Sequence, residues 1–125
     1  MRTILLVCAI IIASALVGSC QPVALVADGA SDFAIVHAAD APPSVQAAAA
    51  DLQRYLELAT GARLEIVTAP ASPAIILGAA TGLDLADVPL EGFRIVTRDG
   101  SILIAGPDTA EGELTLQGGT SSGTR

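Results

Sequence analysis

Residues 44–62 read SVQAAAADLQRYLELATGA and predict one amphipathic α-helix. Apolar side chains recur there at three- and four-residue spacing, which aligns them along one stripe of a helix. Ser44 is placed to act as the N-cap, because its hydroxyl can accept a hydrogen bond from a free backbone N–H. Gly61 is expected to end the helix as a left-handed cap. The predicted stripe consists of Val45, Ala48, Ala49, Leu52, Tyr55, Leu56 and Ala59.

Short apolar runs on both sides of this helix predict β-strands. Glycine, proline and aspartate bound these runs, and all three residue types favour turns. A loop over 79–91 is expected to follow the last run and to hold one short helical turn around 83–86. The predicted strands cover 23–26, 33–37, 64–67 and 74–77.

The dipeptide Asp99-Gly100 lies between two alternating segments, 93–98 and 101–106, and predicts a β-hairpin. Both residues tolerate the positive φ of a two-residue type I′ turn. The expected pairs are Arg98 with Ser101, Thr97 with Ile102, and Ile95 with Ile104. One face is then apolar enough to line a core and the other is mixed, as in a sheet covered on one side. The apolar face comprises Phe93, Ile95, Thr97, Ile102 and Ile104, and the mixed face Arg94, Val96, Arg98, Ser101, Leu103 and Ala105.

The N-terminus has the features of a secretory signal: Arg2, an apolar run over 4–17, and small residues before Cys20. The run is shorter than the ~20 apolar residues that a membrane span needs. Val17-Gly18-Ser19-Cys20 resembles the lipobox of bacterial lipoproteins, in which the cut precedes a lipidated cysteine. We therefore expect 1–19 to be a lipoprotein signal peptide and Cys20 to anchor an exported protein to the membrane of the cell envelope. The alternatives are an uncleaved membrane anchor, or a plain signal with an unrelated cysteine.

Composition limits the function classes. Of the 125 residues, 106 remain after 1–19 are removed, enough for one domain with a modest core. The net charge of −7 becomes −8 without Arg2, and there is no lysine, which argues against binding nucleic acid or an anionic membrane surface. Two phenylalanines and one tyrosine are too few to build an aromatic platform for sugars. Cys8 leaves with the signal and Cys20 would carry lipid, so we expect neither a disulfide nor a cysteine metal site.

The C-terminal residues differ in character from the rest. The stretch 117–125 is rich in glycine, serine and threonine and has almost nothing to bury, so we expect 114–125 to be a disordered tail. Residues 20–29 are expected to form a tether and first strand. An element that begins near 111–114 and passes into low complexity suggests a truncated or frame-shifted chain; a natural flexible tail is the alternative.

Residues that could perform chemistry are scattered. The thirteen carboxylates, among them Asp28, Asp32, Asp40, Asp84, Asp87, Asp99, Glu111 and Glu113, are expected to form turns or to be solvated charges. A glycosidase instead needs two carboxyl groups held at a defined separation across one bond. The serines Ser31, Ser44, Ser72 and Ser101 lack a G-x-S-x-G motif. We therefore expect no catalytic residue in this chain.

Two further features have a functional and a structural interpretation. His37 could bind a metal, but too few partners are available for zinc, and a local hydrogen bond or solvated pair with Asp40 is preferred. Gly78-Ala79-Ala80-Thr81-Gly82 follows a strand as a phosphate-binding loop does, but it lacks the lysine of that motif. A tight strand exit is the preferred interpretation. We expect no cofactor and no metal.

The combined pattern resembles a known module. The helix motif A-A-x-x-L-Q-x-Y-L-x-x-x-T-G-A at 48–62 is followed by I-x-L-G at 75–78 and G-F-R-I at 92–95. Together these are similar to the N-terminal accessory domain of bacterial alpha-glucuronidases and to the second domain of family 20 beta-hexosaminidases. The resemblance covers 30–113. It implies a small α+β fold, in which a mixed β-sheet carries helices on one face, ahead of a catalytic (β/α)8 barrel.

The resemblance also implies a function. In those glycoside hydrolases the catalytic carboxylates belong to the barrel, so this domain would be a non-catalytic accessory of a carbohydrate-processing lipoprotein, itself meeting carbohydrate only indirectly. Family members continue beyond 112 into a second apolar helix, whereas this chain reads TLQGG at 115–119. Part of the sheet face should then be uncovered and prone to association. The alternative is a stand-alone envelope lipoprotein with a binding or structural role; an independent hydrolase is the least favoured hypothesis.

Overall fold

The computed structural model describes residues 22–110, 113–114 and 120–125. In these ranges the chain forms one α-helix, one short 3₁₀ helix and five strands. In chain order they are β1 (Ala34–Val36), α1 (Pro43–Thr60), β2 (Ile66–Val67), β3 (Ala74–Leu77), the 3₁₀ helix (Gly78–Thr81), β4 (Arg94–Arg98) and β5 (Ser101–Ala105).

The five strands form one mixed sheet in the order β2-β1-β3-β5-β4. The pairs β1–β2, β1–β3 and β3–β5 are parallel, and only β4 runs antiparallel, at the edge beside β5. α1 connects the parallel neighbours β1 and β2 and packs on one face of the sheet. The expected α+β class with a small mixed sheet is confirmed, with a single α-helix in the described ranges.

The core lies between α1 and the middle of the sheet. Val45 and Ala49 of α1 are fully buried against Ile35 and Ile75 of the two central strands and against Leu64. Fully burying a side chain such as valine, leucine or isoleucine stabilises a fold by about 1.5–3 kcal/mol. Ala48, Leu52 and Leu56 pack on this cluster while remaining partly exposed.

The two ends of α1 compare differently with the sequence prediction. The C-terminal cap is confirmed, since Gly61 has φ 77° and its N–H bonds the carbonyl of Glu57 at 2.8 Å. The Ser44 cap is wrong. The helix begins at Pro43, with Pro42 in the cap position, because a proline at the first helical position has no N–H that needs a partner. The Oγ atom of Ser44 is buried without a hydrogen bond to any described residue.

The hairpin register is confirmed in full. Arg98 pairs with Ser101, Thr97 with Ile102 and Ile95 with Ile104. Asp99 and Gly100 have φ 50° and 75°, the positive values that a type I′ turn needs.

The expected burial of the two hairpin faces is wrong. Phe93 and Ile95 on the apolar face are 63% and 56% exposed, because α1 covers the neighbouring strands and stops short of β4. The residues Ser101, Leu103 and Ala105 on the mixed face are buried instead.

Loops cover the face of the sheet that is opposite α1. The β2–β3 connection crosses β1 there, and its Pro70 and Ala71 enclose a cavity of about 160 Å³ with Val36 and Ile76. The segment after the 3₁₀ helix is held by Arg94, which bonds the Asp84 carbonyl and both carboxylate oxygens of Asp87 at 2.7 and 2.8 Å. The helical turn expected at 83–86 lies instead at Gly78–Thr81. Both faces of the sheet are therefore covered, except for the hairpin on the α1 face, which the helix does not reach.

Two predictions about the ends of the described chain are also wrong. Residues 23–26 do not form a strand; Val23, Leu25 and Val26 pack irregularly against the core, and a tight turn follows, with Ala27 and Ala30 exchanging two 2.9 Å backbone bonds. Residues 120–125 lie against the domain instead of being disordered.

Hydrogen bonds and glycine contacts hold this C-terminal segment. Asp108 accepts bonds from the backbone N–H and the hydroxyl of Thr124, and Thr124 Oγ1 in turn accepts one from the N–H of Gly106 at 3.0 Å. The backbones of Gly92, Gly106 and Gly123 approach so closely that a Cβ atom on Gly106 or Gly123 would overlap neighbouring backbone. A segment with few apolar side chains is thus ordered through its backbone.

Replacing Gly100 with valine tests the hairpin turn. A Cβ there has open space around it, so the cost arises from placing a β-branched residue at positive φ. We expect the free energy of unfolding, measured by urea denaturation, to fall by about 1–2 kcal/mol. Gly100→Asn is the control, because asparagine tolerates this conformation, and it should retain most of the stability. Equal stability of the two variants would contradict the turn assignment.

Replacing Ser44 with alanine distinguishes the two assignments of the helix start. Loss of an N-cap would destabilise the protein by about 1 kcal/mol. Because the hydroxyl is buried and unbonded at a helical position, we expect Ser44→Ala instead to leave the stability unchanged or raise it by up to about 1 kcal/mol. Thermal and urea unfolding measure the sign, and a clear loss of stability would restore Ser44 as the cap.

Candidate functional site

Several of the carboxylates lie in turns. Asp28 and Asp99 occupy turn positions with φ 52° and 50°, and Asp84 Oδ1 accepts the N–H of Ala86 at 3.0 Å. Asp108 holds Thr124, as described above. The structure thus gives these four residues conformational tasks, in line with the sequence interpretation.

Three ion pairs in the described ranges involve the two acidic side chains of α1 and one acidic side chain of the loop before β4. In two of them, Arg63–Glu57 and Arg94–Asp87, the N–O distance is 2.7 Å. All of them lie at the surface, where a pair stabilises a protein by 0 to about 1 kcal/mol. The pairs are Arg63–Glu57, Arg94–Asp87 and Arg125–Asp51.

His37 follows β1 and is half-buried. Its Nδ1 atom lies 2.7 Å from the carbonyl oxygen of Ala38, so the expected partnership with Asp40 is wrong. Because a carbonyl oxygen only accepts, Nδ1 is the donor in this hydrogen bond. Within the described ranges, no three His, Asp, Glu or Cys residues lie close enough together to hold a metal ion.

The Gly78–Thr81 segment satisfies its own polar groups. The hydroxyl of Thr81 donates to the Gly78 carbonyl at 2.7 Å and accepts the N–H of Leu83 at 3.2 Å. Gly82, at φ 62°, bonds back to the Ala79 carbonyl at 3.1 Å. Groups bonded in this way fit a strand exit better than a loop that cradles an anion.

An apolar surface extends over the hairpin on the side of α1. We call Phe93, Ile95 and Ile104 the hairpin patch; Ile95 and Ile104 are directly paired, and all three face the α1 side. A cleft of about 230 Å³ separates the patch from α1 and is lined by Leu52, Leu77 and Ile104, with the Arg125–Asp51 pair at its rim.

Tyr55 of α1 is also exposed, at 60%, so its expected place in the buried stripe is wrong. At 100° per residue it lies on the same flank of the helix as Ala48 and Asp51, which line the cleft. Apolar groups thus remain exposed on both sides of the cleft.

A second concave surface lies at the other end of the sheet, beside the β4–β5 turn. This turn-end groove has a volume of about 410 Å³. The N-terminal segment forms one wall, and the hairpin turn forms the other. The groove is lined by Pro22, Val23, Ala24, Phe33, Pro73, Thr97, Arg98, Asp99 and Gly100.

Several predicted features lie outside the described residues: the signal peptide 1–19, the lipidation site Cys20, and Glu111. No helix in the described part of the chain has both the length and the apolar character needed to cross a bilayer. Sequence reasoning missed the turn-end groove, because it treated 23–26 as a strand. Pro22, which begins that segment and lacks a backbone N–H, was the available signal.

Comparisons with protein-family models, curated proteins and solved structures find no match to this chain.

Replacing Ile95 with serine tests whether the hairpin patch is free surface. Because Ile95 is 56% exposed, we expect its loss to change the free energy of unfolding by no more than about 0.5 kcal/mol and to reduce binding of a hydrophobic dye. Leu90→Ser is the matched control: Leu90 is 45% exposed and lies outside the patch, so its replacement should leave more of the dye binding intact. A loss of 2 kcal/mol or more in Ile95→Ser would show that the patch is part of the core.

Proposed function

We propose that this chain is a non-catalytic accessory domain of an exported, membrane-anchored lipoprotein that processes carbohydrate. The parent protein would be a glycoside hydrolase of the alpha-glucuronidase type, anchored by a lipid on Cys20 and carrying its catalytic barrel outside this domain. The proposed task is to brace that barrel through an interface.

The hairpin patch is the observation that carries this proposal. Phe93 and Ile95 expose most of their surface on the face of the sheet that α1 covers elsewhere. Large apolar side chains grouped next to a cleft mark surfaces that another protein unit covers. A neighbouring barrel would bury them and complete the second layer of the sheet.

The arrangement of the acidic groups supports a non-catalytic role. Asp28, Asp84 and Asp99 stabilise turns, and Asp87 is bonded to an arginine. The pair of carboxyl groups that glycoside hydrolysis requires would be supplied by the barrel. Sugar recognition by this domain would be indirect, because its few aromatic residues are dispersed.

A stand-alone envelope lipoprotein with a binding role is the second candidate. The same hairpin patch would then contact a separate protein. The two candidates differ in where the partner is encoded. It is encoded in the DNA directly downstream for the accessory domain, and in a separate gene for the stand-alone lipoprotein.

The experiment is to sequence the DNA that follows the codon of Arg125 and translate it in the three forward frames. We expect a barrel-forming sequence with two carboxylates in one of them. When the joined protein is expressed, Phe93→Ser together with Ile95→Ser should lower the melting temperature of the barrel, whereas Leu90→Ser should not. Finding no barrel, together with capture of a separate envelope protein that Ile95→Ser abolishes, would replace this proposal with the stand-alone one.

A further inference from the structure

We infer that the turn-end groove faces the membrane and binds the headgroups of zwitterionic phospholipids. This inference rests on the lipid anchor at Cys20 that is part of the proposed function. It adds an orientation for the domain and a ligand class for a surface other than the hairpin patch.

The length of the chain between the anchor and the groove carries the first step. Pro22 already lines the groove, and it is the second residue after Cys20. Two residues span at most about 7 Å when fully extended. A lipid on Cys20 therefore brings this end of the sheet, with the β4–β5 turn, to the surface of the bilayer.

The charges in the groove carry the second step. Arg98 and Asp99 are adjacent, both are exposed, and both line the groove. A guanidinium recognises a phosphate through paired N–H donors, and a carboxylate pairs with an ammonium group. A phosphodiester joined to an ammonium group, as in phosphatidylethanolamine, presents both partners at neighbouring positions.

Arg98 is available for such a ligand. Arg63, Arg94 and Arg125 each form an ion pair with an acidic side chain, and Arg54 stacks 5.4 Å above the ring of Tyr55. Among the described residues, Arg98 forms no ion pair within 4.0 Å. Most of the other residues lining the groove, such as Val23, Phe33 and Pro73, are apolar and suit the boundary between headgroups and acyl chains.

The net charge of the protein favours a zwitterionic bilayer over an anionic one. At about −8 after signal removal, the domain is repelled by an anionic surface, whereas a zwitterionic headgroup carries no net charge. Phe93 directly precedes β4 and Arg98 ends it, so the two residues lie roughly 17 Å apart at 3.4 Å per residue. The outer end of the hairpin patch would then point away from the membrane.

The test uses the full chain, expressed with its own signal in a bacterium and reconstituted into phosphatidylethanolamine–phosphatidylcholine vesicles. Thr97→Cys, in the groove, and Ala79→Cys, exposed at the far end of β3, each receive a nitroxide spin label. Cys8 is removed with the signal and the Cys20 thiol is blocked by lipid, so each variant carries one label. The vesicles contain a lipid with a nickel-chelating headgroup, and the collision rate of nickel with each label is measured.

We expect the label at 97 to collide with the nickel lipid at least threefold more often than the label at 79. Arg98→Gln in the Thr97→Cys background should reduce that rate by half or more, whereas Arg54→Gln, which makes the same charge change on α1, should not. Replacing the zwitterionic lipid with phosphatidylglycerol should also reduce it.

The outcomes separate the two layers of the proposal. Mass spectrometry that finds no lipid on Cys20 overturns the anchor and this inference together. A lipidated protein with equal collision rates at 97 and 79 overturns the orientation and leaves the anchor intact. A higher rate at 97 that Arg98→Gln and Arg54→Gln leave equally unchanged overturns recognition of the headgroup by Arg98.

Discussion

The contact between α1 and the two central strands holds the rest of the structure in place. Val45 and Ala49 meet Ile35 and Ile75 with almost no exposed surface. Ala49 contributes only a methyl group, and a Cβ on Gly78 would approach both methyl groups of Val45 to 3.1 Å. Small residues at these points let the helix lie close to the sheet, so a larger side chain at either one would lift α1 and open the core.

The local parts of this fold could be predicted from the sequence. The Asp99-Gly100 turn determines its own register, because two residues with positive φ leave one way to pair the flanking strands. Gly61 likewise ends α1 as predicted. The Ser44 cap is wrong because two adjacent prolines place the cap two positions earlier, at Pro42, and a proline at the first helical position removes the need for a side-chain cap.

The predictions that were wrong concern features that depend on contacts between segments distant in the sequence. Which hairpin face is buried follows from where α1 stops and from the path of the 79–91 loop, and neither is encoded in the alternation of β4 and β5. The stretch at 120–125 lacks apolar residues, yet Asp108 and Gly106 supply partners for its backbone and for Thr124. Periodicity measures the burial of side chains, so it does not detect a segment held by its backbone. The turn-end groove was not predicted either, because it joins Pro22 to a turn more than seventy residues later in the chain.

The two surfaces at the ends of β4 would divide the proposed tasks of the domain. The edge strand carries Arg94 and Arg98, and charged residues on an edge discourage pairing with strands of other molecules. Between them, Ile95 lies on the same face of the sheet as α1 and is exposed. In the proposed arrangement, one strand would present an apolar contact towards a protein neighbour and a charged end towards the bilayer.

The crossing of Gly92, Gly106 and Gly123 has a consequence for mutagenesis. Contacts are usually mapped by truncating side chains, and the resulting loss of stability identifies the residues that contribute. These three glycines have no side chain to truncate, so an alanine scan that omits glycine would not detect their contact. The contact is instead sensitive to added atoms. One methyl group at 106 or 123 would overlap neighbouring backbone and would displace residues 120–125 from the sheet.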